Sequence, residues 1–488
     1  MSSPSAPRGK GLALALLAMT QFVVVLDASI VNVALPSIGT DLHFAEEDLS
    51  WVVNAYTLTF GGFLLLGGRL ADLLGRRRMY MIGLVVFSLA SLAGGLASSD
   101  TWLVIARAAQ GLGAAIISPA ALSIVTTTFA EGAERNKALG VWGAVAGSGG
   151  AAGVLLGGVL TEYLGWEWVL FVNVPIGLGI VALAPRLLAE SADLAEHRSF
   201  DVAGAVTVTA GLAIIVYTLV DAEDAGWGST QTLVLGAIGV ALLASFVAIE
   251  LRQRAPLVPF RIFRLRTLRG ANLSGLLVAM ALFGMFFFVS LYLQRVLGYS
   301  ALEAGFAYLP LALTIMASAG GGSQLVTRIG FKPTLIIGLL FTAAGLAWFS
   351  QVSADGSYLG DVLGPSLVAA VGLGLSFVSM TIAAVMGTDP QEAGLASGLI
   401  NTSQQVGGAL GLAILATIAN GTTSDAFAGG ERNPAVALTE GFQDAFLVGA
   451  GFAILGAIIA ATVISSADSR AHAEAARRGE ETAPVVAA

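Results

Sequence analysis

The chain has 488 residues, 56% of them hydrophobic and only 11% charged, with a formal net charge of −8 and a mean hydropathy of +0.83. That balance excludes a soluble globular domain and describes a polytopic membrane protein whose first partner is the lipid bilayer. There is no cysteine, so disulfides, thiolate metal sites and cysteine nucleophiles are excluded as well.

The first apolar run, from about Gly11 to Pro36, is too long for a signal-peptide core and lacks a cleavage end, so it is expected as a mature membrane span. Its centre reads "QFVVVLDASIVNVALP", with Asp27 in the middle. A carboxylate at that depth costs about 2.5–3.5 kcal/mol on insertion scales, so it faces a partner or a water-filled cavity. Further apolar segments follow near 51–70, 79–97, 102–126, 138–160, 168–188, 202–220, 231–250, 271–293, 304–326, 334–351, 360–386, 394–419 and 442–465. With the first run they make fourteen expected spans.

An even number of spans puts both chain ends on one side, and 21 of the 24 Lys and Arg residues fall in the tails and loops of that side. Positive charge marks the cytoplasm, so both termini are expected there. The anchors are "GRRR" at 75–78, "ERNK" at 134–137 and the basic linker at 252–269. Loop lengths divide the chain into a tail (1–10), a six-helix bundle (11–188), a linker with two extra spans (189–270), a second six-helix bundle (271–465) and a tail (466–488). For that last tail, a short frayed helix followed by disorder is expected. Two six-span halves are the arrangement in which repeats rock about a central site. A degraded internal echo supports it: "GGRLADLLGRRR" at 67–78 and "GGSQLVTRIGFK" at 321–332 each end an apolar helix with glycine and then basic residues.

Asp27 lies about 24 Å along its helix from the cytoplasmic start, at 1.5 Å per residue. Desolvation favours the neutral form of a carboxyl group, which makes Asp27 the expected proton carrier. Arg107 enters the fourth span five residues beyond Trp102, at a similar depth. Two readings follow: Arg107 modulates Asp27 as the halves move, or the two form a static buried ion pair. In the fifth span, Gly149, Gly153 and Gly157 recur every four residues, with Gly158 beside them; such a stripe admits close helix approach, either sliding or static.

Polar side chains stranded in apolar helices are the candidates for contacting a substrate. Asn401, Gln404, Gln405 and Gly408 share one helical face, and Asn32, Asn54, Tyr56, Gln110, Trp142 and Tyr308 join them. The alternative for each is an interhelical hydrogen bond worth about 0.6 kcal/mol. The run "FGMFFFVSLY" at 283–292 offers either a stacking surface or a lipid-facing stripe. His43, His197 and His472 sit in expected loops or the tail, and no HExxH, suitable GxSxG or Walker sequence is present. Metalloproteolysis and ATP-driven pumping therefore lack their parts, so no enzyme is expected.

Several stretches resemble the fourteen-span drug:proton antiporter family of the major facilitator superfamily. They are "LDASIVNVALP" at 26–36, "GRLADLLGRRRMY" at 68–80, "RAAQGLGAA" at 107–115, "GWEWVLFVNVPIG" at 165–177 and "GLASGLINTSQQVGGALG" at 394–411. The match runs in order through nearly the whole chain. It implies an all-α major facilitator fold of two six-helix bundles plus two central helices, and alternating-access export of small lipophilic molecules coupled to protons. It also implies a cytoplasmic gate at Gly68, Asp72, Gly75, Arg76 and Arg77, in which Asp72 and Arg76 fasten the outward-facing state; loop topology alone is the other reading. Two positions depart from the family pattern: Leu73 replaces a common basic residue, and Val154 stands where a proline is usual in the antiporter motif. No cofactor, ATP or nucleic-acid partner is expected, with the proton as coupling ion and a working monomer, and the richness in alanine and glycine points to a high-GC bacterium and hence a plasma membrane. A dedicated exporter of one metabolite or self-made antibiotic is the neighbouring expectation; a channel would need repeated rings of ligands.

Overall fold

The computed structural model describes residues 9–45, 47–129, 133–190, 201–226, 228–253, 256, 258, 260–386 and 393–478. The helices in chain order are α1 (Lys10–Asp41), α2 (Trp51–Leu74), α3 (Arg76–Gly95), α4 (Asp100–Thr128), α5 (Ala133–Leu164), α6 (Trp168–Phe171), α7 (Asn173–Leu187), α8 (Val202–Ala225) and α9 (Thr230–Glu250). There follow α10 (Arg266–Leu291), α11 (Ala301–Ala307), α12 (Leu309–Ile329), α13 (Phe331–Phe349), α14 (Leu363–Val385), α15 (Ala393–Ala428), α16 (Pro434–Val463) and α17 (Ser466–Arg478). Eleven helical segments among the described residues are long and apolar enough to cross a membrane. The helices α2, α5 and α8, of 24, 32 and 24 residues, each reach about 36 Å or more at 1.5 Å per residue and occupy the other three expected spans.

In the first half α1 packs on α5, α2 on α4, and α3 on α4 and α7; in the second, α10 packs on α15 and α16, and α14 on α12 and α13. The halves meet where α2 runs against α15 and where α5 runs against α11 and α12. The extra pair docks through α8, which touches both α2 and α15. There Thr209 Oγ1 donates to Gly62 O at 2.8 Å. Its companion α9 presents Leu233, Ile238 and Val240 outward, an apolar surface suited to acyl chains.

The face that carries Lys10 and α17 is called here the basic face, and its opposite the distal face. On the basic face the two halves repeat one turn. Gly75 (φ +105°) separates α2 from α3, and Gly330 (φ +91°) separates α12 from α13; both conformations strain any residue with a Cβ. The amides of Arg77 and Arg78 donate to the Glu190 carboxylate, both at 3.1 Å, and Arg77 Nη1 donates to Leu188 O at 3.0 Å. In the second half the Lys332 amide donates to Ser469 Oγ at 3.0 Å and its Nζ to Ile464 O at 2.8 Å. Each half thus straps its turn with the segment that follows its sixth span. The strap in the second half includes α17, which is docked rather than frayed: Ser469 and Ala473 are buried and His472 lies against Phe331.

Three spans differ from the expected pattern. α1 continues through Pro36 to Asp41; Pro36 has no N–H, so the Asn32 carbonyl loses its intrahelical donor. Ser290 Oγ of the opposite half donates to that carbonyl at 2.7 Å, and Gln294 Nε2 donates to Val33 O at 3.0 Å. The tenth span breaks into α11 and α12 around Tyr308, just before Pro310. α15 extends to Ala428, beyond the end of its apolar run.

Candidate functional site: a buried charge cluster in the first half

Five helices converge on Asp27. Its side chain is completely buried, and Arg107 from α4 is 1% exposed. Arg107 Nη1 donates to Asp27 Oδ2 at 2.7 Å. Asp27 Oδ1 accepts from Gln110 Nε2 and from Asn173 Nδ2, each at 2.7 Å. Ser91 Oγ from α3 accepts from the same two amides at 3.2 and 3.1 Å and donates to Leu170 O at 2.8 Å. Every partner of Asp27 in this arrangement is a donor, which suits an ionised carboxylate.

Arg107 does not depend on Asp27 alone. Its Nε donates to Val52 O at 3.0 Å, its Nη1 also donates to Gln110 Oε1 at 2.7 Å, and its guanidinium lies 4.4 Å from the Tyr56 ring centroid. Breaking a buried pair by removing one partner is costly because the survivor is stranded. Here the neutral acceptors and the ring remain in place for the cation whatever the charge on Asp27.

The glycine stripe sits directly against the helix that carries Asp27. A Cβ on Gly149 would meet Phe22 O at 3.1 Å, and one on Gly157 would meet Ile30 O at 2.7 Å; one on Gly153 would collide with Ser29 Oγ and lie 2.8 Å from Leu26 O. Gly158 points elsewhere, across the seam, where a Cβ would meet Ala301 O at 2.7 Å. The buried Val154 puts its carbonyl 3.1 Å from the Cβ position of Gly305 in α11, so the residue standing for proline lies at the contact between halves.

The structure thus brings Asp27, Arg107, Gln110 and Tyr56 together, and no hydrogen bond among the described residues joins the other substrate candidates to them. Asn32 donates to Ala28 O of its own helix at 3.1 Å, and Asn54 makes a long 3.5 Å contact to Ser50. Tyr308 donates to Phe286 O at 2.7 Å and stacks on that ring. Trp142, Gln404 and Gln405 are half-buried and Asn401 is exposed; Gln405 faces Gly61 of α2 across the seam, and the Phe283 ring covers Gly408. Gly68 packs near Pro119. Arg76 is half-buried, Arg77 pairs with Glu190 at 3.5 Å, and the Asp72 side chain lies outside the described residues.

Sequence reasoning missed Asn173, Ser91 and Glu190. Asn173 carried a legible signal, a lone amide in the apolar stretch "VLFVNVPIG"; Ser91 and Glu190 are set by contacts across 82 and 113 positions. The centre of the aromatic run is not a lipid-facing stripe: Phe287, Phe288 and Leu291 line a small cavity with Arg295 and Phe442. Phe287 and Phe288 are buried, with Phe288 against Phe442 and Phe446.

Residues 17–412 match the family model of the Major Facilitator Superfamily. The chain belongs to the major facilitator superfamily. Among relatives in this superfamily, the cephamycin export protein CmcT of Amycolatopsis lactamdurans is 44% identical over 84% of this chain and 85% of its own. The puromycin resistance protein pur8 of Streptomyces alboniger is 41% identical over 95% and 92%. The tetracenomycin C resistance and export protein of Streptomyces glaucescens is 35% identical over 85% and 77%. The fold is shared with an auto-inhibited POT family peptide transporter (TM-score 0.67, 14% identity, covering 98% of this chain and 99% of that one). A bacterial homologue of the lysosomal transporter Spinster gives a TM-score of 0.64 at 18% identity, over 96% and 99%.

Proposed function

We propose that this major facilitator protein exports small lipophilic organic molecules, antibiotics among them, by proton-coupled alternating access. Asp27 carries the coupling proton, and Arg107 holds its charge between cycles. The observation that carries the reading is the Asp27–Arg107 pair, buried in lipid-spanning helices and surrounded by neutral acceptors that keep the cation satisfied when the carboxylate is gone. One proton moving down about 100 mV supplies about 2.3 kcal/mol. At about 1.4 kcal/mol per tenfold, that sustains a gradient of tens-fold for a neutral substrate. The Lys/Arg distribution supports an orientation with the basic face and both chain ends in the cytoplasm, and the relatives from Amycolatopsis and Streptomyces support a bacterial plasma membrane. The protein works without ATP or catalysis, as a monomer.

The names of the relatives favour a narrower second reading, in which one antibiotic or metabolite is the cargo: CmcT, pur8 and the tetracenomycin C protein are each named for one compound. Everted vesicles under an imposed pH gradient separate the two. Movement of a fluorescent lipophilic cation, competed by several unrelated antibiotics and abolished in Asp27→Asn, is the expected result. Competition by one compound alone favours the narrow reading, and undiminished gradient-driven movement in Asp27→Asn overturns the coupling role.

A further inference from the structure

Protonation of Asp27 poses a hydrogen-bond problem that this cluster has to solve. A carboxylate only accepts, whereas a carboxyl group carries one O–H that must find an acceptor when buried. All three side chains that now contact Asp27 donate to it. Arg107 has no acceptor to offer. Gln110 is committed at both ends, its Oε1 to Arg107 and its Nε2 to Asp27 and Ser91. Asn173 differs: its Nδ2 serves Asp27 and Ser91, while its Oδ1 is buried with no hydrogen-bond partner among the described residues. Of the three, Asn173 alone has an acceptor to spare.

We propose that Asn173 is the second half of the proton site, and that its amide turns over when Asp27 takes up a proton, so that Oδ1 accepts the hydrogen bond from the new carboxyl O–H. An amide presents a donor and an acceptor on a nearly symmetric fork, so half a turn about its last bond exchanges them without moving the helix. In the charged state Nδ2 faces the carboxylate; in the protonated state Oδ1 faces the acid. Ser91 keeps Gln110 as a donor during the exchange, and Arg107 keeps Val52 O, Gln110 Oε1 and the Tyr56 ring. The proton comes from water on the side to which the site is open and leaves to water on the other. The ionisable groups facing Asp27 among the described residues are Arg107 from α4 and Tyr56 from α2; α3 and α7 contribute Ser91 and Asn173, and α5 its glycines. Asn173 is a positioning residue on this reading, which rests on Asp27 as the proton carrier.

Infrared difference spectroscopy of the purified full chain across an acid-to-alkaline titration tests it. The native protein is expected to show a protonated-carboxyl band that Asp27→Asn removes. In Asn173→Leu, similar in shape but unable to accept, that band is expected to move to the position of a carboxyl O–H without an acceptor. Gradient-driven transport is expected to fall about tenfold, which corresponds to about 1.4 kcal/mol. Asn173→Ser, whose hydroxyl both donates and accepts, is expected to shift the band less, and it serves if the leucine variant does not insert. A band at the native position in Asn173→Leu, or in Asn173→Ser where only that variant inserts, overturns the turnover and leaves Asp27 as the carrier. No Asp27-dependent band in the native chain at any pH overturns the carrier reading and the turnover together.

Discussion

The two halves of the molecule share their mechanical parts and differ in what fills them. In each, the fifth helix offers glycines to the first: Gly149, Gly153 and Gly157 meet α1, and Gly407 and Gly411 meet α10 at Leu276 and Met280. A strapped glycine turn joins the second and third helices of both. The interiors diverge. Where the first half buries Asp27, Arg107, Gln110 and Asn173, the second stacks Phe288, Phe349, Phe442 and Phe446. On the proposed mechanism the duplicated hinges let both halves rock, and the charge cluster, found among the described residues in the first half alone, lets a proton decide when. Motion and coupling should then be separable by mutation.

Two substitutions should unfold the halves equally and act on function differently. Arg107→Leu strands a buried carboxylate and is expected to cost about 3–5 kcal/mol, partly restored by adding Asp27→Asn. Phe288→Ala opens a cavity in the aromatic core at about 3–5 kcal/mol. Thermal unfolding in detergent reads both losses. Transport that survives Phe288→Ala should keep its dependence on the proton gradient, while transport in the Arg107 variants should lose it.

Gly153→Ala forces a methyl group onto Ser29 Oγ and Leu26 O, and overpacking of this kind costs about 1–3 kcal/mol. The pressure falls on the helix that carries Asp27, so transport should drop more than in Gly407→Ala, the matching change on α15 where it meets α10. A smaller effect is expected at the seam. Ser290→Ala removes the donor to the carbonyl freed by Pro36, about 0.6 kcal/mol for such a bond, or a roughly threefold shift toward separation of the distal ends. The chain has no cysteine, so a spin-labelled cysteine pair placed across α1 and α10 reports that distance without background.

The smallest expected effect lies in α17. Burial against Phe331 holds the His472 imidazole below its usual 6.5. Its docking is therefore at full strength above that value and is lost as the pH falls through the lowered one. Limited proteolysis of the C-terminal segment should accelerate in mild acid, and His472→Phe should remove the acceleration.

The spans and the Asp27–Arg107 pairing could be anticipated because charge in an apolar helix is conspicuous at any distance along the chain. Gln110 and Tyr56 were visible as stranded polar residues, but nothing local says that they serve the charge pair rather than a substrate. Glu190 and Ser469 read as ordinary loop residues; their work depends on two turns more than a hundred positions away. The burial of Phe288 depends on α16, which no periodicity in α10 encodes. Local pattern reveals which residues are costly to bury, and packing decides what satisfies them.

The central claim, that a proton on Asp27 drives the cycle, is tested most directly in proteoliposomes by comparing two modes of one transporter. Substrate exchange at equal pH needs only the rocking of the halves, whereas uphill accumulation needs the proton. Asp27→Asn is expected to retain exchange and to lose accumulation. Accumulation at the native level in that variant would contradict the account.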